Sequence, residues 1–324
     1  MVTYEDFMKL SKERIKAYLP KEYRDREIMV VPVQKNNGIV RDGLFIRAGD
    51  NGMSPIIYLK PYYERYLDGF QIQGIWKEIA EEYLRARQQT PDVPVNLLSY
   101  ESVKDQLMVT VCNAERNRGR LADMPHEEKG DLALIYQVCM ELPGERYEMT
   151  PVRNLNLKMW GISEEQLKTD SWVNMKNRYS PLFAGTETIV EGLIINGFHH
   201  VGGNGTALDL ATVNKNEPMY VLTNMRKQYG AAYILDEEIM GQIADWLEAD
   251  LIILPSSIHE AMVIKETEII DIELCREILR IGNQTQVFED ELLSDEVYRF
   301  DRESRQLQLV PEVDMKQAMI PMLG

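Results

Sequence analysis

Several things are scarce in this 324-residue chain, and each scarcity excludes a class. Cysteine occurs three times, at Cys112, Cys139 and Cys275, with no C-x-x-C pair. A disulfide framework and a zinc ribbon are therefore excluded, and buried free thiols in a reducing compartment are expected. No apolar run approaches the ~20 residues of a membrane span. The opening Met-Val-Thr-Tyr-Glu-Asp carries acids where a signal peptide carries bases, so a cytoplasmic location is expected. There is no G-x-S-x-G elbow, and the glycines Gly202-Gly203-Asn204-Gly205 lack the Lys-Ser/Thr of a phosphate loop. No cofactor motif is present, and neither cofactor nor metal is expected.

Positive charge is scarce in one place. Residues 236–324 hold 21 acidic and 7 basic side chains, a net of -14 out of -16 for the whole chain. The first 235 residues are nearly neutral. Nucleic acid and anionic membrane both require a positive surface, so neither is expected as a direct partner. A basic protein partner is compatible with this balance. Hydrophobic content of 44% is that of an ordinary globular protein.

Thr3 is an N-cap with Asp6 three residues on and Val2 and Phe7 as a staple, and the helix stops before Pro20. Residues 27–34, 39–47 and 54–59 read as a β-meander turning at Asn36-Asn37-Gly38 and Gly49-Asp50-Asn51-Gly52. Ile72, Ile75, Trp76, Ile79, Ala80, Tyr83 and Leu84 mark an amphipathic helix. Strands are expected at 93–98, 106–112 and 131–138, the last buried on both faces. Residues 149–179 look helical, with Ser163 starting a capping box. The signal fades from 180 to 218. Strands at 220–223 and 231–235, a helix capped by Asp236, and strands at 251–254 and 258–264 give a ββαββ order. The helix stripe Ile239, Ile243, Trp246 and Leu247 is expected to bury Trp246 against the hairpin of residues 251–264. A helix through Leu274 and Ile278 and a hairpin at 297–310 follow. Hairpins outnumber crossovers, so the fold class is α+β, with mainly antiparallel sheets packed by amphipathic helices. The expected division is a meander-plus-helix module at 1–145, a helical segment with a loop at 146–218, an acidic ββαββ module at 219–312, and a tail at 313–324.

Three clusters carry chemistry-bearing side chains. Ser256, Ser257, His259 and Glu260 put a hydroxyl, an imidazole and a carboxylate on one turn, which could serve a nucleophile. Residues so close on a hairpin alternate in direction, and Pro255-Ser256-Ser257 is good turn chemistry, so a structural or ligand-facing turn is the simpler reading. Asn113, Glu115, Asn117, His126 and Asp131 flank two adjacent strands. Glu115, His126 and Asp131 could bind a divalent ion, against the alternative of a connection held by Asx turns and side-chain caps. His199 and His200 precede the glycine loop, but adjacent histidines on extended chain face apart. The tyrosines Tyr62, Tyr63 and Tyr66 fit a helix packed on the meander.

Several blocks together resemble a family of bacterial proteins classed as a domain of unknown function and found mainly in gut anaerobes. They include 35-KNNGIVRDGL-44, 54-SPIIYL-59, 113-NAERN-117, Pro125-His126, 131-DLA-133, 220-YVLTN-224, 229-YGAA-232, 254-LPSSIHE-260 and 293-LSDEVY-298. The resemblance spans roughly residues 27–302. It implies a cytoplasmic bacterial protein, allows a link to mobile elements, and brings no activity. Three functions are thus set against each other: a non-enzymatic binding or regulatory protein, an acidic decoy or inhibitor of a basic nucleic-acid-binding protein, and a metal-assisted hydrolase. The first is expected, with Asn113, Glu115, His126, Asp131, Ser256, His259 and Glu260 as the candidate ligand- or partner-facing residues.

Overall fold

The structure, a computed structural model, describes residues 2–47, 54–88, 96–142, 146–186 and 208–312. The chain forms two compact units: Met1–Val103 with Cys139–Thr150, and Lys104–Val138 with Pro151–Gly324.

The first unit grows from its N-terminal cap. Thr3 Oγ1 accepts the Asp6 N–H at 3.2 Å and starts helix α1, Tyr4–Arg14. Val2 and Phe7 join one apolar cluster, as a staple requires. A one-turn helix α2, Lys21–Arg24, precedes the meander of β1 (Ile28–Gln34), β2 (Val40–Ile46) and β3 (Ile57–Tyr58), paired in that order. The β1–β2 turn places Asn37 and Gly38 in succession in the left-handed region, at φ 57° and 71°. Asn and Gly are the residues that tolerate this conformation. Helices α3 (Lys60–Leu67) and α4 (Ile72–Gln88) follow. From α4, Ile75, Trp76, Ile79, Ala80 and Tyr83 enter the core with Phe7, Leu44 and Ile46. Full burial of each large side chain is worth roughly 1.5–3 kcal/mol. Of the strand expected at 93–98, residues 93–95 lie outside the described residues and Asn96–Leu98 forms a turn. The short helix α5, Tyr100–Val103, comes next. The turn expected at 49–52 also lies outside the described residues.

The second unit has two sheets. Strand β4 (Leu107–Asn113) pairs with β6 (Leu132–Leu142), which pairs with β5 (His126–Lys129). The four-residue helix α6, Arg118–Leu121, lies between β4 and β5 in the chain. Strand β7, Arg146–Pro151, pairs with β6; the end of β6 from Cys139, and β7 up to Thr150, belong to the first unit. Strand β7 takes Met149–Pro151 out of the helix expected there: helical structure begins only at α7, Asn154–Trp160. Helix α8, Glu164–Arg178, starts where Ser163 Oγ accepts the Gln166 N–H. Its Asn174 donates to the carbonyls of Lys104 and Leu107, docking it at the start of β4.

The six-stranded sheet has the order β13-β12-β10-β11-β9-β8, and every described pairing is antiparallel. Its strands are β8 (Pro181–Gly185), β9 (Tyr220–Asn224), β10 (Leu251–Leu254), β11 (Ala261–Lys265), β12 (Tyr298–Asp301) and β13 (Gln306–Leu309). Helix α9, Glu237–Leu247, is capped by Asp236, which accepts the Glu238 and Ile239 N–H groups. Helix α10 covers Ile272–Gln286 under an equivalent cap from Asp271.

Four expectations are corrected here. Residues 181–185 form β8 where the pattern had faded. Residues 230–235 form a 3-10 turn, not a strand. Tyr229 stands at φ 59°, and a side chain on Gly230 would strike Asn224 and Thr223, so the chain turns too tightly to extend. Residues 258–260 lie before β11, not in it. Trp246 is half-buried where full burial was expected, and its ring meets Phe183 of β8 and Tyr220 of β9 edge-on. Ile239, Ile243 and Leu247 occupy the buried line of α9, so Trp246 sits on its flank.

Candidate functional site

Asn113 and Asp131 come together as their spacing across adjacent strands allows. Asn113 ends β4, and its Nδ2 donates to Asp131 Oδ2 at 2.9 Å and to the Leu293 carbonyl at 3.0 Å. Ser294 Oγ donates to the same carboxylate oxygen at 2.8 Å. Tyr298 Oη donates to Asp131 Oδ1 at 2.5 Å and accepts the Asp131 N–H at 2.9 Å. Burial and this carboxylate push the Tyr298 phenol far above its ordinary range. Gly130, at φ 64°, precedes the aspartate, and a side chain there would collide with the Tyr298 hydroxyl. Asn117 Nδ2 donates to the Asn113 carbonyl, and Arg116 pairs with Asp295 at 2.8 Å. The Asp131 carboxylate is thus held by three side-chain donors, an arrangement suited to anchoring the 293–298 segment.

The other candidates sit elsewhere. Glu115 is exposed and pairs with Arg118. His126 opens β5; its Nδ1 faces the Met124 carbonyl at 2.8 Å, so that nitrogen carries the proton, and Nε2 lies 3.5 Å from Glu128. Neither joins the Asp131 network among the described contacts. No group of three or more His, Cys, Asp or Glu side chains among the described residues is placed to hold a metal ion.

The 255–260 turn is organised by its backbone. Ser257 Oγ accepts the His259 N–H at 2.9 Å. His259 Nδ1 accepts the Tyr229 N–H at 3.1 Å, which places its proton on Nε2, 3.4 Å from Glu291. The His259 carbonyl accepts from Gly230 N and Thr223 Oγ1. No serine hydroxyl bonds this imidazole among the described contacts. The Ser256 carbonyl accepts the Leu293 N–H, and Ser257 bridges to Leu292. Glu260 is exposed. Both clusters therefore contact the 291–298 segment. His199 and His200 lie outside the described residues.

Among the described residues of this unit, two hollows are lined by charged side chains. One, of about 500 Å³, is bounded by β5, α8, the start of α9 and β12. Its charges compensate each other: Lys168 pairs with Glu127 at 2.6 Å, and Lys176 pairs with Asp236 and Glu238 at 2.9 and 2.8 Å. The other is lined by acids around Asp245 and Asp250, whose carboxylates pair with Arg302, Arg305 and Arg299.

The outer face of α10 is different. Cys275, Arg276, Leu279 and Asn283 point inward. Arg276 is 1% exposed and gives its guanidinium to Glu296 at 2.5 Å and to the Val310 carbonyl at 2.9 Å. Asn283 Nδ2 donates to the Ser294 carbonyl and Asp295, both at 2.8 Å. The polar 294–296 segment supplies the acceptors, so polar side chains take the core side. Leu274, Ile278 and Ile281 are left outside, 53%, 50% and 54% exposed. Their i, i+4, i+7 spacing forms one continuous ridge. Ile269 and Phe288, both highly exposed, bracket the helix in the chain. The pattern Leu274-Cys275, Ile278-Leu279 already held this signal: two apolar lines side by side are one more than a single core face needs.

No curated protein and no solved structure matches the chain. A family of unknown function, DUF5688, matches it across residues 4–302, which is most of its length, and the chain belongs to that family.

Proposed function

We propose that this is a non-enzymatic binding or regulatory protein, and that the outer face of α10 is its partner surface. The observation that carries this reading is the ridge of Leu274, Ile278 and Ile281, half-exposed on a helix whose inner face is already packed. A contiguous exposed apolar ridge is the common mark of an interaction site. The chemistry-bearing clusters support the same reading. Asp131 is engaged by three donors, and the serines of the 255–260 turn make no described bond to the imidazole. In this reading Asn113, Asp131, Ser256 and His259 brace the segment that supports α10.

Two measurements test it. A protein captured by the wild-type chain and lost by Ile278→Asp, with unchanged thermal unfolding of the variant, is the expected result. Turnover of any member of a panel of generic esters, peptides and phosphodiesters by the purified protein overturns it.

A further inference from the structure

Resting on the reading of α10 as a partner surface, we infer that its occupant is a basic amphipathic helix, which lays an apolar stripe on Leu274, Ile278 and Ile281 and sets lysines or arginines against Glu273 and Glu277. The ridge is straight, running roughly 10 Å along the helix at 1.5 Å per residue. A ridge of this kind accepts the groove between side chains of another helix, not the end of a small molecule. Glu273 and Glu277 lie beside it, one turn apart and exposed. The bases of the same helix do not cancel them. Arg276 is committed to Glu296 and Val310, reaching Glu273 only at 3.6 Å, and Arg280 is paired with Glu312 at 2.5 Å. Glu277 has no ion pair among the described residues. The flank is therefore negative, in a region already carrying most of the net charge of the chain.

The same charges argue against a second copy. An antiparallel pair of these helices centred on the ridge would bring Glu277 against its own copy, and like charges across an interface are disfavoured. They equally disfavour an acidic helix. A basic one gains both the apolar contact and the charge complement.

The test uses the full chain and two labelled helical peptides of matched pattern, one of leucine and lysine, one of leucine and glutamate, read by fluorescence anisotropy. The leucine–lysine peptide is expected to bind, and more weakly as salt rises. Ile278→Asp should weaken it by about tenfold or more, the scale of losing a central apolar anchor. The double variant Glu273→Gln, Glu277→Gln should weaken it by a smaller factor and flatten the salt dependence. A control, Glu237→Gln with Glu303→Gln, alters acids of the same unit away from α10 and should leave affinity unchanged. If both peptides bind alike, or the Glu273/Glu277 variant binds as wild type, the basic partner is wrong while the ridge stands. If the control weakens binding as much as the Glu273/Glu277 variant, the attraction is diffuse and the inference falls. If Ile278→Asp changes nothing, or neither peptide binds, the α10 surface itself is wrong as a helix-docking site. Coincident thermal unfolding of all variants separates these results from misfolding.

Discussion

Helices α4 and α10 are both amphipathic, 17 and 15 residues long, yet α10 buries only part of its apolar residues, Cys275 and Leu279 among them, and leaves a second apolar line outside. Helix α4 sends Ile75, Trp76, Ile79 and Tyr83 into an aromatic-rich core. Helix α10 turns a buried arginine and a buried asparagine inward and keeps Leu274, Ile278 and Ile281 outside. Periodicity reports that a helix has two faces. Which face is covered depends on what the neighbouring chain offers. The meander offers Leu44 and Ile46 to α4, whereas residues 294–296 offer carboxylates and carbonyls to α10.

The sharpest way to break this contrast is to make the same substitution on both helices. Ile79→Ala should cost about 4 kcal/mol, within the range for fully buried aliphatic side chains. Ile278→Ala should stay within about 0.5 kcal/mol, as exposed positions do. Urea unfolding followed by circular dichroism reads both, and equal losses would erase the distinction. Next in size is Asp131→Ala, which strips Asn113, Ser294 and Tyr298 of a shared acceptor. A cost of about 3 kcal/mol is expected from several unsatisfied donors. If it instead behaves like a surface change, the 293–298 segment is not anchored there. Trp246→Ala is expected to cost about 2 kcal/mol, below the value for full burial because the residue is only half-buried. Intrinsic fluorescence and thermal unfolding of this variant report whether the contact with Phe183 and Tyr220 matters.

The smallest effect is electrostatic. Hydrogen bonds from Arg305 and Arg302 hold the Asp245 carboxyl below its usual value, and Arg280 does the same for Glu312. The Ser304 N–H and hydroxyl lower Asp301. A carboxyl depressed in the folded state adds stability above its unfolded value, near 4, and loses it as pH falls through the folded one. The melting temperature should therefore be level near neutrality and decline below about pH 4, with less decline at high salt. These groups are exposed, so the slope will be shallow.

Much of the framework was legible in the residues. The Thr3, Ser163 and Asp236 caps, the Asn37-Gly38 turn and the α4 stripe all act within a few positions of themselves, and local patterns report local forces. What escaped was non-local. Strand β8 has a Pro at its first position and Gly at its last, and it is defined by its partner β9. Residues 231–235 are apolar enough for a strand, but the close approach of Gly230 to Thr223 and Asn224 bends them into a 3-10 turn. The meeting of Asn113 with Asp131 follows from adjacent strands. The contributions of Ser294 and Tyr298 could not be read, because they arrive from more than 160 positions away.

That distance has a kinetic meaning. The bonds from Asn113 to Leu293, from Ser294 to Asp131 and from Tyr298 to Asp131 close separations of 180, 163 and 167 residues. Contacts of such order form late, because chain entropy must be lost before they repay it. On the ribosome, β4 to β6 emerge long before their fastening, and Asp131 waits with its partners still unsynthesised. The last strands are thus the step that locks the second unit, and a chain stalled or cut before Ser294 would leave a carboxylate facing a half-built sheet, the kind of intermediate that aggregates or is degraded.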